Sequence, residues 1–190
     1  MSGRARLVLP VVLFVVASCS GADTSPQAPF DPAASLPHSV AGIALTVREP
    51  TNMAQFVAGL PDGSGPVAIA TTLGLARVVI TSSAEVGDFP SAAGAPAKTL
   101  DVTETVYTGA SPDRLLAAYL ADRTGPMACP ACAVAPETIA NKSVAVITSA
   151  ALPARGLFAY VKGDVLYEIA VNDLEVHASK LASAALALLP

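Results

Sequence analysis

The chain has no tryptophan, five phenylalanines and four tyrosines, and only two histidines and three cysteines in 190 residues. Each shortage narrows the chemistry. Two histidines, His38 and His177, are too few for a His-rich metal site and a poor basis for a His-activated nucleophile. Three cysteines cannot supply the two C-x-x-C pairs of a four-thiolate zinc site. No G-x-S-x-G elbow, G-x-x-x-x-G-K loop, dinucleotide fingerprint or H-E-x-x-H occurs. Basic residues are also scarce: 11 Lys and Arg against 15 Asp and Glu give a net charge of −4. That balance argues against nucleic acid and anionic headgroups, which reward basic patches. No cofactor is expected.

A long apolar run is missing too. The N-terminal stretch 7–17 is apolar but interrupted by Pro10, whereas a spanning helix needs about 20 apolar residues. Arg4 and Arg6 precede it and small residues follow. A basic start, a short apolar core and then small residues form the pattern of a secretory signal. The sequence Val16-Ala17-Ser18-Cys19 resembles the lipobox of bacterial lipoproteins. The resemblance covers about the first 20 residues and implies cleavage before Cys19, acylation of Cys19 and an extracytoplasmic, membrane-anchored chain. An ordinary signal peptide with an incidental cysteine and an uncleaved anchor are the other readings.

Residues 20–39 carry four prolines among small polar residues. They read as a tether, at most on the order of 60 Å long if extended. The expected organisation is therefore a signal at 1–18, a tether at 19–39 and one domain at 40–190.

Within the domain, 42–49 alternates Ile43, Leu45 and Val47 against Ala44, Thr46 and Arg48, as a half-buried strand does. Thr51 suits the cap of a short helix, 67–76 leans towards helix, and 76–84 is a β-branched strand. Residues 98–109 form the clearest strand, with Leu100, Val102 and Val106 on one face. The clearest helix follows, opened by Ser111, Pro112 and Asp113 and closed by Gly125 and Pro126. Two hairpins are expected, turning at 141–142 and near Gly163. Asn172 and Glu175 resemble a capping box for a last helix with Leu174, Ala178, Leu181, Ala185 and Leu188 on its buried stripe. Hairpins plus helices imply an α+β fold, a mainly antiparallel sheet with helices packed on one face. The last hairpin and helix resemble the tails of uncharacterised secreted bacterial proteins, which implies no activity.

Three places could carry chemistry. Glu104 shares its strand face with Leu100, Val102 and Val106. Either it is a buried carboxylate able to act as acid or base, or that face is poorly covered or shifted by a bulge. Glu168 lies off the core face of its strand and is expected in solvent, and His177 reads as a boundary residue.

The third place is Cys129-Pro130-Ala131-Cys132, behind Met127. A Pro-containing C-x-x-C resembles thioredoxin-like oxidoreductases, and M-x-C-x-x-C resembles the Cu(I) loop of copper chaperone-like domains. Both families place a helix after the motif, which 133–141 with Pro136 does not promise. With Cys19 acylated, Cys129 and Cys132 are the remaining thiols, in a compartment that favours oxidation, and a structural disulfide between them is expected. No metal site is expected. The functional expectation is a lipid-anchored, non-enzymatic binding or scaffolding module of the envelope, attached to the membrane through Cys19. Its rivals are a carrier of apolar ligands such as lipids, and a C-x-x-C oxidoreductase or Cu(I) protein.

Overall fold

The computed structural model describes residues 32–52, 65–86, 99–125, 129, 131–150, 155–172 and 178–190. The chain divides into 1–30 and 31–190, and every described residue belongs to the second unit. Cys19, His177, most of the expected helix after Thr51 and the Met127 arm of the cysteine motif lie outside the described residues.

A short helix, α1 (Pro32–Ser35), comes first. Strands β1 (Ser39–Val40) and β2 (Ile43–Ala44) then pair as a small hairpin. Leu36 is buried, so residues assigned to the tether belong to the folded unit, which begins at Asp31 rather than near Val40. The alternation over 42–49 holds in burial, with Leu45 buried and Thr46 exposed. The strand itself breaks at Leu45: β2 stays with β1, and β3 (Thr46–Val47) moves to the main sheet.

The main sheet has eight strands, every pair antiparallel. β5 (Val78–Val86) takes β3 and β4 (Thr51–Asn52) along one edge and β6 (Thr99–Tyr107) on the other. Thr51 is therefore extended and pairs opposite Ile80. From β6 the chain crosses by way of a helix to the far edge. It returns through a meander of β7 (Cys132–Ile139), β8 (Lys142–Ser149), β9 (Arg155–Lys162) and β10 (Val165–Asn172). The order across the sheet is β3-β5-β6-β10-β9-β8-β7. The last strand therefore lies inside the sheet, between β6 and β9.

The turns explain the hairpin registers. β7 and β8 are joined by Ala140 and Asn141, both at positive φ (49° and 61°), as a type I′ turn requires. The turn sits one residue before the expected 141–142. β9 and β10 are joined by Gly163 and Asp164, with Gly163 at φ 62°. Asn172 is the last residue of β10, opposite Thr99 and Arg155. Glu175 of the expected capping box and Leu174 of the expected stripe lie outside the described residues.

Three longer helices lie among the described residues: α2 (Pro66–Leu73), α3 (Pro112–Arg123) and α4 (Ala178–Leu188). α2 starts with Pro66 in its first turn and stops at Gly74, whose φ of 69° is the left-handed stop that glycine adopts cheaply. α3 has Ser111 extended at its N-cap, Asp113 in its first turn and Arg123 in its last, each at the end its charge favours.

The α+β class and the mainly antiparallel sheet are as expected, but the helices divide between both faces. On one face α4 contributes Leu181, Ala182, Ala185 and Leu186, and the N-terminal segment adds Leu36, Val40 and Leu45. They cover Leu100, Val102, Phe158, Tyr167 and Ile169. On the other, Ile69 and Ala70 of α2 with Leu115, Ala118 and Tyr119 of α3 cover Ile80, Tyr107, Ile147, Ala159 and Leu166. The stripe of α4 also turns: Leu181 and Ala185 are buried as expected, while Leu188 is 55% exposed and Leu186 takes its place.

Candidate functional site

The two-sided covering puts acidic groups inside the molecule on both faces of β6 and β10. Glu104 is 0% exposed. Its strand runs in unbroken register with β5 and β10, with Thr81 opposite on one side and Tyr167 on the other. Neither a bulge nor an open face accounts for it: α1 closes over it, and Ser35 Oγ donates to Glu104 Oε2. Tyr167 hydrogen-bonds with both Ser35 and Glu104, and burial, followed by the Glu104 charge, pushes its phenol above its ordinary pKa. Tyr167 stacks on Tyr160 at 5.8 Å between centroids, and Lys142 Nζ lies 5.6 Å from the Tyr160 ring centre.

The second group lies beneath α3. Tyr119 and Arg123, four residues apart, share one helical face and meet Glu168 of β10. Arg123 Nε donates to Glu168 Oε2 at 2.9 Å and Nη2 to Oε1 at 3.1 Å, a two-pronged pair. Tyr119 Oη donates to Oε2 at 2.5 Å, and the Arg123 guanidinium lies 5.6 Å from the Tyr119 ring centre. Glu168 is thus not in solvent as expected; its side chain is 16% exposed.

The electrostatics follow from burial and crowding. Burial, reinforced by Glu168, holds the Tyr119 phenol well above its ordinary pKa. Burial, the largest single influence, would lower Arg123, but Glu168, Tyr119 and Asp122 together outweigh it and the pKa rises. Asp122 is raised by burial, against the opposing Arg123 charge, and it accepts a hydrogen bond from the Gly65 backbone that begins α2. Asp101, on the same face of β6, is raised by burial too, with Arg48 opposing.

Beside this cluster is a partly open cavity of about 30 Å³ lined by Thr103, Thr105, Tyr107, Tyr119, Arg123 and Glu168, together with Pro66, Ile69 and Leu166. Tyr107 is fully buried, and its hydroxyl has no hydrogen-bond partner among the described residues. Burial pushes its pKa far up, so it stays a neutral phenol. Alternation along β6 puts Thr103, Thr105 and Tyr107 on one face. Nothing in the sequence showed that two helices cover it.

Cys129 and Cys132 are joined by a disulfide. Cys129 N–H donates to Gly125 O, just past the end of α3, and Cys132 N–H to Cys129 O. Cys132 opens β7 and packs against the α2–α3 side of the core. A strand, not a helix, follows the motif. The bridged sulfurs offer no thiolate to a metal. They lie at the corner where α3 gives way to the edge strand.

His38 is exposed and uses its backbone carbonyl to accept from Leu45 N–H. Among the described residues no group of three His, Cys, Asp or Glu side chains could hold a metal ion. No described helix is long and apolar enough to cross a membrane. Comparison of the chain with protein-family models, with curated proteins and with solved structures finds no match in any of the three.

Proposed function

We propose that this chain is a lipid-anchored, extracytoplasmic protein whose folded domain is a non-enzymatic binding or scaffolding module of the cell envelope. The observation that carries the anchor is Val16-Ala17-Ser18-Cys19 behind Arg4, Arg6 and the apolar stretch 7–17, with a Pro-rich stretch before the folded unit at Asp31. The geometry of the acidic groups supports the non-enzymatic half. Both oxygens of Glu168 are taken by the Arg123 fork and one also by Tyr119. A carboxylate already engaged by three protein donors is poorly presented to a substrate as a general base. Glu104 is sealed beneath α1 and tied to Ser35. The disulfide, followed by a strand, lacks the helix that lowers an attacking thiol's pKa in oxidoreductases.

The test is metabolic labelling of the full chain with radioactive palmitate in a bacterial host. Wild type is expected to take up label and sediment with membranes, and Cys19→Ala to do neither. An unlabelled wild-type chain overturns the anchor. Insulin reduction by the purified protein that disappears in Cys129→Ser overturns the non-enzymatic reading.

A further inference from the structure

The cavity beneath α3 is a partly open site where polar side chains of two packed elements meet, with Pro66 and Ile69 of α2 at its border. Thr103, Thr105 and Tyr107 reach it from alternate positions of β6, and Glu168 comes from β10, where it stands opposite Thr103. Tyr119 and Arg123 descend from α3. Tyr107 is 0% exposed and its hydroxyl has no partner among the described residues. A buried hydroxyl without a partner forfeits the hydrogen bonds it makes to water in the unfolded chain, so native proteins almost always supply one.

Size and charge select the occupant. A water needs roughly 10–15 Å³ of such space and two to four polar partners. The cavity, at about 30 Å³, holds one or two. An anion would meet the Glu168 carboxylate, with the Asp122 charge also felt at Tyr107, and a single guanidinium, itself already paired, to balance them. A cation would sit beside that guanidinium and compete with it for Glu168. A neutral molecule that both donates and accepts suits the neutral phenol, the two threonine hydroxyls and the carboxylate together.

We propose that this cavity is an internal water site, in which one or two long-lived waters bridge Tyr107 Oη to Thr105 and the Glu168 carboxylate. The bridge extends the Arg123–Glu168–Tyr119 cluster into one network from α3 through β10 to β6. It gives the one hydroxyl left over by that cluster a partner, and it makes hydration part of what holds α3 on the sheet.

Two measurements on the wild-type protein test it. A crystal structure that shows ordered solvent is expected to place a fully occupied water at hydrogen-bond distance from Tyr107 Oη and from a second lining group. Nuclear Overhauser transfer from long-lived water to the Thr105 methyl and Tyr107 ring is expected in solution. In Tyr107→Phe, crystallised and measured in the same way, the water density and the transfer to Thr105 are expected to be lost. An empty cavity, or a Tyr107 hydroxyl bonded directly to a protein group, overturns the proposal. So does transfer to Thr105 that persists unchanged in Tyr107→Phe, because the water would then not be anchored by the phenol. If Tyr107→Phe fails to fold, the two wild-type measurements still decide.

Discussion

Arg123 and Glu168 meet across the seam between α3 and β10 as a two-pronged ion pair, and Tyr119, one helical turn before Arg123, donates to the same carboxylate. The arrangement ties the crossover helix to the middle of the sheet. Arg123→Ala would leave a half-buried carboxylate with one donor in place of three, and is expected to lower unfolding free energy by about 2 kcal/mol. Replacing both partners by apolar residues, as in Arg123→Met with Glu168→Leu, should cost less than the sum of the single changes. Urea denaturation of the four proteins gives the coupling directly. Additive losses would mean that the pair contributes nothing beyond packing.

Tyr107, Tyr119 and Tyr167 are all held above the ordinary phenol value of about 10, burial being the first cause in each. In the unfolded chain these phenols lose their protons near pH 10, while the folded protein keeps them. The unfolded state therefore binds fewer protons above pH 10, and stability falls as pH rises through the folded values. The stability is fully present below pH 10 and should decline at about 1.4 kcal/mol per pH unit for each phenol ionised only on unfolding. Denaturation midpoints at pH 8 and pH 11, read beside absorbance at 295 nm, check this. Equal midpoints would contradict it.

Ser35 and Leu36 place the true start of the domain before Val40. A chain beginning at Val40 loses a buried leucine and a donor to Glu104. It should be less stable than one beginning at Asp31 by about 2–4 kcal/mol. Within the longer chain, Ser35→Ala alone should account for about 1 kcal/mol of that. Thermal or chemical denaturation compares the three, and matching curves would return residues 31–39 to the tether.

Ala140 holds φ 49° in a turn whose two central residues are both left-handed. Alanine is strained there by roughly 1 kcal/mol, a conformation asparagine and glycine adopt more readily. Ala140→Asn with Asn141→Gly is expected to raise stability by about 1 kcal/mol, seen as a higher denaturation midpoint with an unchanged slope. No gain would show that the turn's strain is relieved elsewhere.

β7 forms one edge of the sheet, and its residues from Ala133 to Thr138 are exposed, Val134 among them at 43%. Pro136 sits in its middle and has no N–H to offer a further strand. Pro136→Val restores that donor and should increase self-association, measured as a concentration-dependent shift in sedimentation velocity relative to wild type. Identical sedimentation at all concentrations would assign the edge's protection to something other than proline.

What could be read from sequence was local. Ser111, Pro112 and Asp113 mark the start of α3 because capping, a preset φ and a charge at the helix dipole act within one turn. Val165, Tyr167, Ile169 and Val171 mark a core face because strand periodicity is two, and all four are buried. What stayed hidden depends on partners far along the chain. Thr51 is as good a strand residue as a helix cap, and it pairs with Ile80. The threonines and tyrosine of β6 look solvent-facing by type, and so does Glu168. All lie on an inner surface, because α3 brings its own tyrosine and arginine to meet them. A polar strand face under a partly polar helix has the same pattern as one facing water. Glu104 could be singled out on its apolar face, but its cover comes from Ser35, 69 residues earlier.

The position of β10 has a consequence for how the chain acquires its structure. It is the last strand to be made, yet it supplies the inner neighbour of both β6 and β9. Until residue 172 is available, the sheet is two separate pieces, β3 to β6 and β7 to β9, each with a bare edge. The two large cores cannot close across them either, since Leu166 belongs to one and Tyr167 and Ile169 to the other. A chain emerging from its N-terminus thus stays open along most of its length and closes in a late step dominated by distant contacts, a topology that slows folding.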